Sequence, residues 1–231
     1  MSPRRPLLLL DAYVDAEGAP YYLPWFGQRR VQTIHVTRAP IDVSPGDVAG
    51  VVISGSKASV NDPDPWIGDV AAWVRAAVEE DVPVLGCCFG HQMVAHACLG
   101  KGAVVRMERA EVGYPEVTIH RPDPLVEPLG PSLAVFASHE DEVVVQPGLE
   151  VLASSPACAV HAMRIRGHRA WGVQFHVEYP PDEEARILRY RAERHPELGL
   201  DPDALLRRAP DTARTARLLF TQFLDLVDGV G

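Results

Sequence analysis

The chain has 231 residues, 47% of them hydrophobic and 23% charged, an ordinary globular composition that can bury a full core as one domain. A formal charge of −9 argues against a nucleic-acid or anionic-membrane surface as the main partner, and no stretch approaches the length of a membrane span. The 21 prolines and 18 glycines are scattered between apolar runs, marking ordered loops rather than disorder.

The opening MSPRRPLLLLDAYVD has a short leucine run interrupted by Asp11 and Asp15, so no secretory signal is expected. Leu7–Leu10 reads as a first buried strand. A cytoplasmic location follows as an expectation, with Cys87, Cys88, Cys98 and Cys158 as thiols; their spacing does not suggest zinc, and no metal is expected. Val31–Val36 is a second apolar run. Between the two lies an aromatic loop, Pro20–Trp25, whose rings suit either a pocket or core packing. Val48–Ile53 is a third strand and ends in Ser54-Gly55-Ser56, with a loop over Lys57–Pro65. Ile67, Val70, Ala71, Val74, Ala77 and Val78 recur at helical spacing, predicting an amphipathic helix over Trp66–Glu80.

Strand Val82–Leu85 then runs into Gly86-Cys87-Cys88-Phe89-Gly90 and a helix over His91–Leu99, closed by Gly100. A G-x-C-x-G sequence between strand and helix is the cysteine version of a nucleophile elbow. The central residue projects from a strained turn, and the helix N-terminus favours a thiolate and offers an N–H to an oxyanion. Cys88 is therefore the candidate nucleophile, whereas Cys87 should face the core. After Gly100 the runs Val104–Arg106, Val112–Ile119, Leu133–Ala137, Val143–Val145, Val151–Ala153, Ala159–Ile165 and Ala170–Phe175 are β-like. Asp182–Arg194, Pro202–Arg208 and Thr212–Val227 are helical, the last with an apolar face for the sheet. Strands alternating with helices, then added β runs, predict an α/β fold: an open, mixed, largely parallel sheet with helices on both faces and extra C-terminal helices. Residues 1–231 read as one domain, with 182–231 a helical extension packing on it.

A cysteine nucleophile needs a base, and the base an orienting acceptor. His176 and Glu178 end an apolar strand two residues apart, on one face, at the strand end where open α/β sheets place their sites. They are the candidate pair. His139, in Ala137-Ser138-His139-Glu140-Asp141-Glu142-Val143, is the alternative base. The acids around it suggest a loop, giving it a substrate-side or structural role. His91 and His96 lie on the elbow helix with no carboxylate to orient them. His35, His120, His161, His168 and His195 carry no signature beyond surface positions.

Together VPVLGCCFGHQ, ISGSKASVND, ASHEDEV and GVQFHVEY resemble, in order, the blocks of the class I (triad-type) glutamine amidotransferases, particularly stand-alone domains like that of GMP synthase. The resemblance implies a flavodoxin-like three-layer fold and a Cys88–His176–Glu178 triad. It implies an oxyanion hole from the amides of Gly55 and Phe89, and substrate contacts at Gln92, Ser138 and His139. Val177 stands where the family usually has proline, which implies lost rigidity but a preserved i, i+2 geometry; Ser56 stands where many members have a second glycine. The implied activity is hydrolysis of the γ-amide of glutamine through a cysteine thioester, with no cofactor. The chain has no G-x-x-x-x-G-K-[ST] phosphate loop, so a separate ATP-dependent synthase is the expected acceptor of the ammonia. Two other readings remain open: a stand-alone γ-glutamyl peptide hydrolase with the same triad, and a non-catalytic binding protein of this fold.

Overall fold

The computed structural model describes residues 4–229; the ends of the expected 1–231 span, and the first three residues of the leader reading, lie outside the described residues. Strands β1 (Leu7–Asp11), β2 (Val31–His35), β3 (Gly50–Ile53) and β4 (Val84–Cys87) form a parallel half-sheet in the order β2-β1-β3-β4. β1, β3 and β4 are buried along their whole length because both faces are covered, whereas the edge strand β2, with Gln32, Thr33 and His35, is only partly buried. Side chains alternate between the two layers: Leu8, Leu10, Val51, Ile53 and Val84 pack on one face, and Leu7, Leu9, Val52, Leu85 and Cys87 on the other. The first face receives α2 (Pro65–Glu79), whose Ile67, Val70, Val74 and Val78 stripe is buried, and α3 (Phe89–Leu99). The opposite face receives the aromatic segment α1 (Ala19–Tyr22) with a 3₁₀ turn at Leu23–Phe26.

The sheet continues through β11 (Ala170–Val173), which pairs in parallel with β4. It then runs antiparallel through β10 (Ala162–Ile165), β9 (Leu149–Ser154), β6 (Glu116–Ile119) and β7 (Ser132–Ala134). The expected run Val112–Ile119 is broken. A ten-residue strand, β5 (Val104–Gly113), ends at Gly113 with φ 127°, and Pro115 stands just before β6. The expected acidic loop after Ser138 is instead strand β8 (Ala137–Val143), paired antiparallel with β5 in a separate two-stranded ribbon. Its burial alternates residue by residue. The sequence hides this period because the inward positions hold His139 and Asp141.

After β11 come α4 (Pro181–Arg194), α5 (Pro202–Leu206) and α6 (Thr212–Asp228). Helix α6 lays Ala216, Leu219, Phe220 and Phe223 on the sheet beside Tyr22 and Phe26, as its apolar spacing predicts. Helix α4 instead packs by Leu188 against Phe136 and Tyr179, at the end of the sheet where the elbow opens. No helix among the described residues is long and apolar enough to cross a membrane.

Candidate active site

Cys88 caps the N-terminus of α3 with φ 51° and ψ −105°, a backbone region that side-chain-bearing residues rarely occupy. Its N–H donates to the Val173 carbonyl at 2.8 Å, tying the elbow to β11. The two glycines that bracket the turn are steric necessities. A Cβ on Gly86 would overlap the Gly90 carbonyl, and one on Gly90 would overlap the carbonyl of Ile53. Cys87, as expected, faces the core, and burial raises its thiol well above the ordinary range.

The strand expected to end in His176 and Glu178 stops at Val173. The chain bends at Gln174 and Phe175, and His176 forms an isolated antiparallel bridge with Phe136, its N–H bonding the Phe136 carbonyl at 2.8 Å. His176 Nδ1 lies 2.7 Å from Glu178 Oε1. Both side chains are buried, with the residues 4% and 3% exposed, and the imidazole stacks on Tyr179 at 4.6 Å. Burial opposes charging His176, but Glu178 and Cys88 outweigh it and lift its pKa to about 10. Burial likewise opposes charging Glu178, yet His176 holds its carboxyl below the ordinary value. The carboxylate and the neighbouring sulfur thus both favour the protonated imidazole beside the nucleophile.

Two groups that the sequence did not single out complete the couple. Tyr22 Oη donates to Glu178 Oε1 at 2.9 Å and accepts the Gly55 N–H at 3.0 Å. Asp11, at the end of β1, fixes the segment that carries Tyr22 by accepting from the N–H groups of Gly18 and Ala19. The Val177 N–H donates to Glu178 Oε2 at 2.9 Å. Where the resemblance implied lost rigidity at Val177, the valine in fact supplies a donor that proline lacks.

The other expected site residues divide. Phe89 is the first residue of α3, so its N–H has no intrahelical partner and none among the described hydrogen bonds. Gly55 does line the site, since a Cβ there would stand 3.7 Å from Cys88 Cβ and 3.1 Å from His176 Cε1. Its N–H, however, is engaged by Tyr22, which changes the role expected of it. Gln92 is buried with its amide donating to the Asp141 carbonyl and to Gln174 Oε1. Ser138 accepts from Arg191 Nε at 3.1 Å.

His139 is not brought to the nucleophile. It points to the inner side of β8, with Nε2 3.0 Å from Glu111 Oε2 and Nδ1 3.0 Å from the Asp141 carbonyl. His161, expected at the surface, is fully buried and also meets Glu111 Oε2, at 2.7 Å. Opposed by burial, Glu111 is nonetheless held well below the usual carboxylate range by these two imidazoles and Ser155. Glu111, His139, His161 and Cys158 make a four-membered donor set separate from Cys88, His176 and Glu178. Two nitrogens at 2.7 and 3.0 Å from one oxygen are hydrogen-bonded, closer than the roughly 3.3 Å between ligands of a tetrahedral zinc. His91 is also fully buried, not merely unoriented. Neither of its ring nitrogens makes a well-aligned hydrogen bond among the described residues; burial outweighs the nearby Gly172 and Val160 backbone groups and pushes its pKa to about 3.

The glutamine amidotransferase class-I family profile matches residues 27–192. The chain belongs to that family. It is an enzyme of the cysteine-dependent amidohydrolase kind. It is 37% identical to a glutamine-hydrolysing GMP synthase subunit of Halobacterium salinarum over 66% of this chain and 76% of the relative. It is 34% identical to a glutamine-hydrolysing GMP synthase of a Parafrankia species over 70% of this chain but 31% of that longer protein. A glutamine amidotransferase from Methylobacillus flagellatus superposes with TM-score 0.79 at 24% identity, covering 96% of this chain and 95% of that one. That structure shares the fold over nearly its whole length, C-terminal helices included.

Proposed function

We propose that this chain hydrolyses the γ-carboxamide of glutamine to glutamate and ammonia. The observation that carries the reading is a cysteine on a positive-φ elbow beside a buried His176–Glu178 pair 2.7 Å apart. The Cys88 thiolate attacks the amide carbon, forming a C–S bond and an oxyanion. The Phe89 N–H at the start of α3 receives that oxyanion. The second donor falls to the next free loop amide, Ser56, because the Gly55 N–H is bound to Tyr22. His176 passes its proton to the leaving nitrogen, the C–N bond breaks, and ammonia departs. Neutral His176 then takes a proton from water as it attacks the thioester, glutamate leaves, and thiolate and imidazolium are restored. Glu178, held by Tyr22 and Val177, keeps the imidazole aimed throughout. Gln92 keeps an amide oxygen for the substrate.

Free ammonia is of little use in water at neutral pH, so its consumer is a separate ATP-dependent synthase. The similarity to the halobacterial GMP synthase subunit supports this arrangement. The test is release of glutamate and ammonia from glutamine by the purified chain, with Cys88→Ala as control. Release abolished in the variant is the expected result. Equal release from both proteins overturns the assignment. Silence from the wild type, followed by turnover of γ-glutamyl peptides, would redirect it to a γ-glutamyl hydrolase.

A further inference from the structure

Tyr179 directly follows the triad carboxylate, and Pro180 and Pro181 follow it. A residue before proline is restricted to extended conformations, and Pro180 caps the start of α4. The chain therefore leaves the triad segment on a fixed course, with the Tyr179 ring lying back over the residue three positions earlier. Its centroid is 4.6 Å from that of the His176 imidazole, at an interplanar angle of 26°. Other segments fix this ring in turn. The Tyr13 and Tyr179 hydroxyls hydrogen-bond one another, and the Tyr13 N–H donates to Asp11 Oδ1 at 3.1 Å. Tyr21 meets the Tyr179 ring edge-on, with centroids 5.2 Å apart at 87°. Phe136 stands against it at 6.3 Å and 70°, and Leu188 of α4 completes the cluster.

This brace does two things that the Glu178 hydrogen bond does not. A bond at one ring nitrogen sets where Nδ1 points but resists tilting about its own axis poorly. A ring stacked face-on opposes that tilt, which would swing Nε2 away from the elbow. The face also acts on charge, because an aromatic face attracts a cation placed over it within about 6 Å, most strongly where water is excluded. Protonated His176 is such a cation. Burial raises the pKa values of Tyr13 and Tyr179 well above the ordinary range, so both phenols stay neutral. The other ionisable groups around His176 are Glu178 on its own segment, the Cys88 sulfur on the elbow and Glu184 on α4.

We infer that Tyr179 is a positioning residue for the proposed amide hydrolysis: its ring, braced by Tyr13, holds the plane of the His176 imidazole and stabilises the charge that imidazole carries until it gives up its proton. The inference rests on the reading of His176 as the proton donor to the leaving nitrogen. Glu178 and Tyr179 then divide the work. The carboxylate orients the imidazole within its plane, and the phenol ring sets the plane itself. The hydroxyl of Tyr179 serves only to anchor the ring through Tyr13, so phenylalanine should be a good substitute and an aliphatic side chain a poor one.

The test compares the wild type with Tyr179→Phe, which keeps the ring, and Tyr179→Leu, which fills space without an aromatic face. The chain is isotopically labelled at histidine Cε1, the His176 resonance is assigned by its loss in His176→Gln, and its pKa is read by NMR titration. Tyr179→Leu should lower that pKa by about one pH unit, and Tyr179→Phe by less than half as much. In glutamine turnover the alkaline limb of kcat/KM should move down by the same amount in Tyr179→Leu, with KM nearly unchanged. An unchanged His176 pKa in Tyr179→Leu, or an equal fall in both variants, overturns the role of the ring face. The titration needs no substrate, so a wild type that does not turn over glutamine fails the glutaminase reading alone and leaves the stack to the NMR result. Should Tyr179→Leu not fold, the wild type decides. Ring current from a stacked neighbour moves the His176 Hε1 resonance upfield of its free-imidazole position, and a resonance at that free position overturns the proposal.

Discussion

Tyr22 and Glu178 are 156 residues apart in sequence and joined by a 2.9 Å hydrogen bond, and the same hydroxyl accepts the Gly55 N–H. One buried phenol thus fastens the triad carboxylate to the loop beside the nucleophile. Burial and the neighbouring Glu178 carboxylate raise its pKa well above the ordinary value, so it stays protonated and donating. Tyr22→Phe removes one partner from each neighbour, at about 1–3 kcal/mol of stability. Turnover should fall roughly tenfold, equivalent to about 1.4 kcal/mol of transition-state stabilisation, with KM nearly unchanged. Steady-state kinetics and a urea melt check both; unchanged kcat would show that the hydroxyl only fills space.

Val177→Pro introduces the residue that the family resemblance implies at this position and removes the N–H that meets Glu178 Oε2. Losing a hydrogen bond to a charged group costs about 1.5–3 kcal/mol. The variant should be less stable and slower, visible as a lower melting temperature and a lower kcat. A variant as stable and active as the wild type would show that the donor is dispensable.

Glycines 90 and 55 should respond differently to alanine. At Gly90 the new methyl meets backbone of Ile53 that cannot move aside, so Gly90→Ala should yield little folded protein. At Gly55 it meets the edge of the His176 ring at 3.1 Å, a side chain that can shift. Gly55→Ala should therefore fold, by circular dichroism, while losing most turnover through a displaced imidazole.

Acid stability should be governed in part by His91, a buried imidazole in the first turn of the elbow helix to which the proposed reaction assigns no role. Its folded-state pKa is lowered to about 3 from 6.5, so the unfolded chain takes up a proton that the folded protein refuses. Stability therefore falls as pH drops below 6.5 and continues to fall towards 3, by at most about 1.4 kcal/mol per pH unit. His176 works in the opposite direction. Its contribution is complete below 6.5 and is lost as pH rises through about 10. Urea midpoints between about pH 4 and 7 should decline less steeply in His91→Asn than in the wild type; parallel slopes would exclude His91 as the source.

The elbow turn, the closeness of His176 and Glu178 and the α2 stripe could be read from the chain because each is written in short-range spacing. G-x-C-x-G, the i, i+2 pair at His176 and Glu178, and the α2 stripe each lie within one short stretch of chain. What escaped was set by contacts between distant segments. Tyr22 was visible only as one of several aromatics, since nothing local says which ring reaches Glu178. Strand β8 was read as a loop because its buried positions are His139 and Asp141, whose polar atoms are met by Glu111, Ser59 and Arg106 from elsewhere. Tyr179 offered one faint sign: an aromatic ring three residues past His176, pinned by the proline after it.

The pairing of β4 with β11 also bears on how the protein matures. Cys87 and Val173 are register partners in adjacent parallel strands, yet they are separated by the whole β5–β10 excursion. Parallel pairings that must wait for such long loop closure form slowly. A slip of one residue would turn the side chains of β11 to the opposite layer and carry His176 away from Cys88. The nucleophile and its base therefore meet only after the central sheet has closed in the correct alignment. Recovery of Cys88 reactivity during refolding would time that last event, and half-folded chains would emerge without an armed thiol.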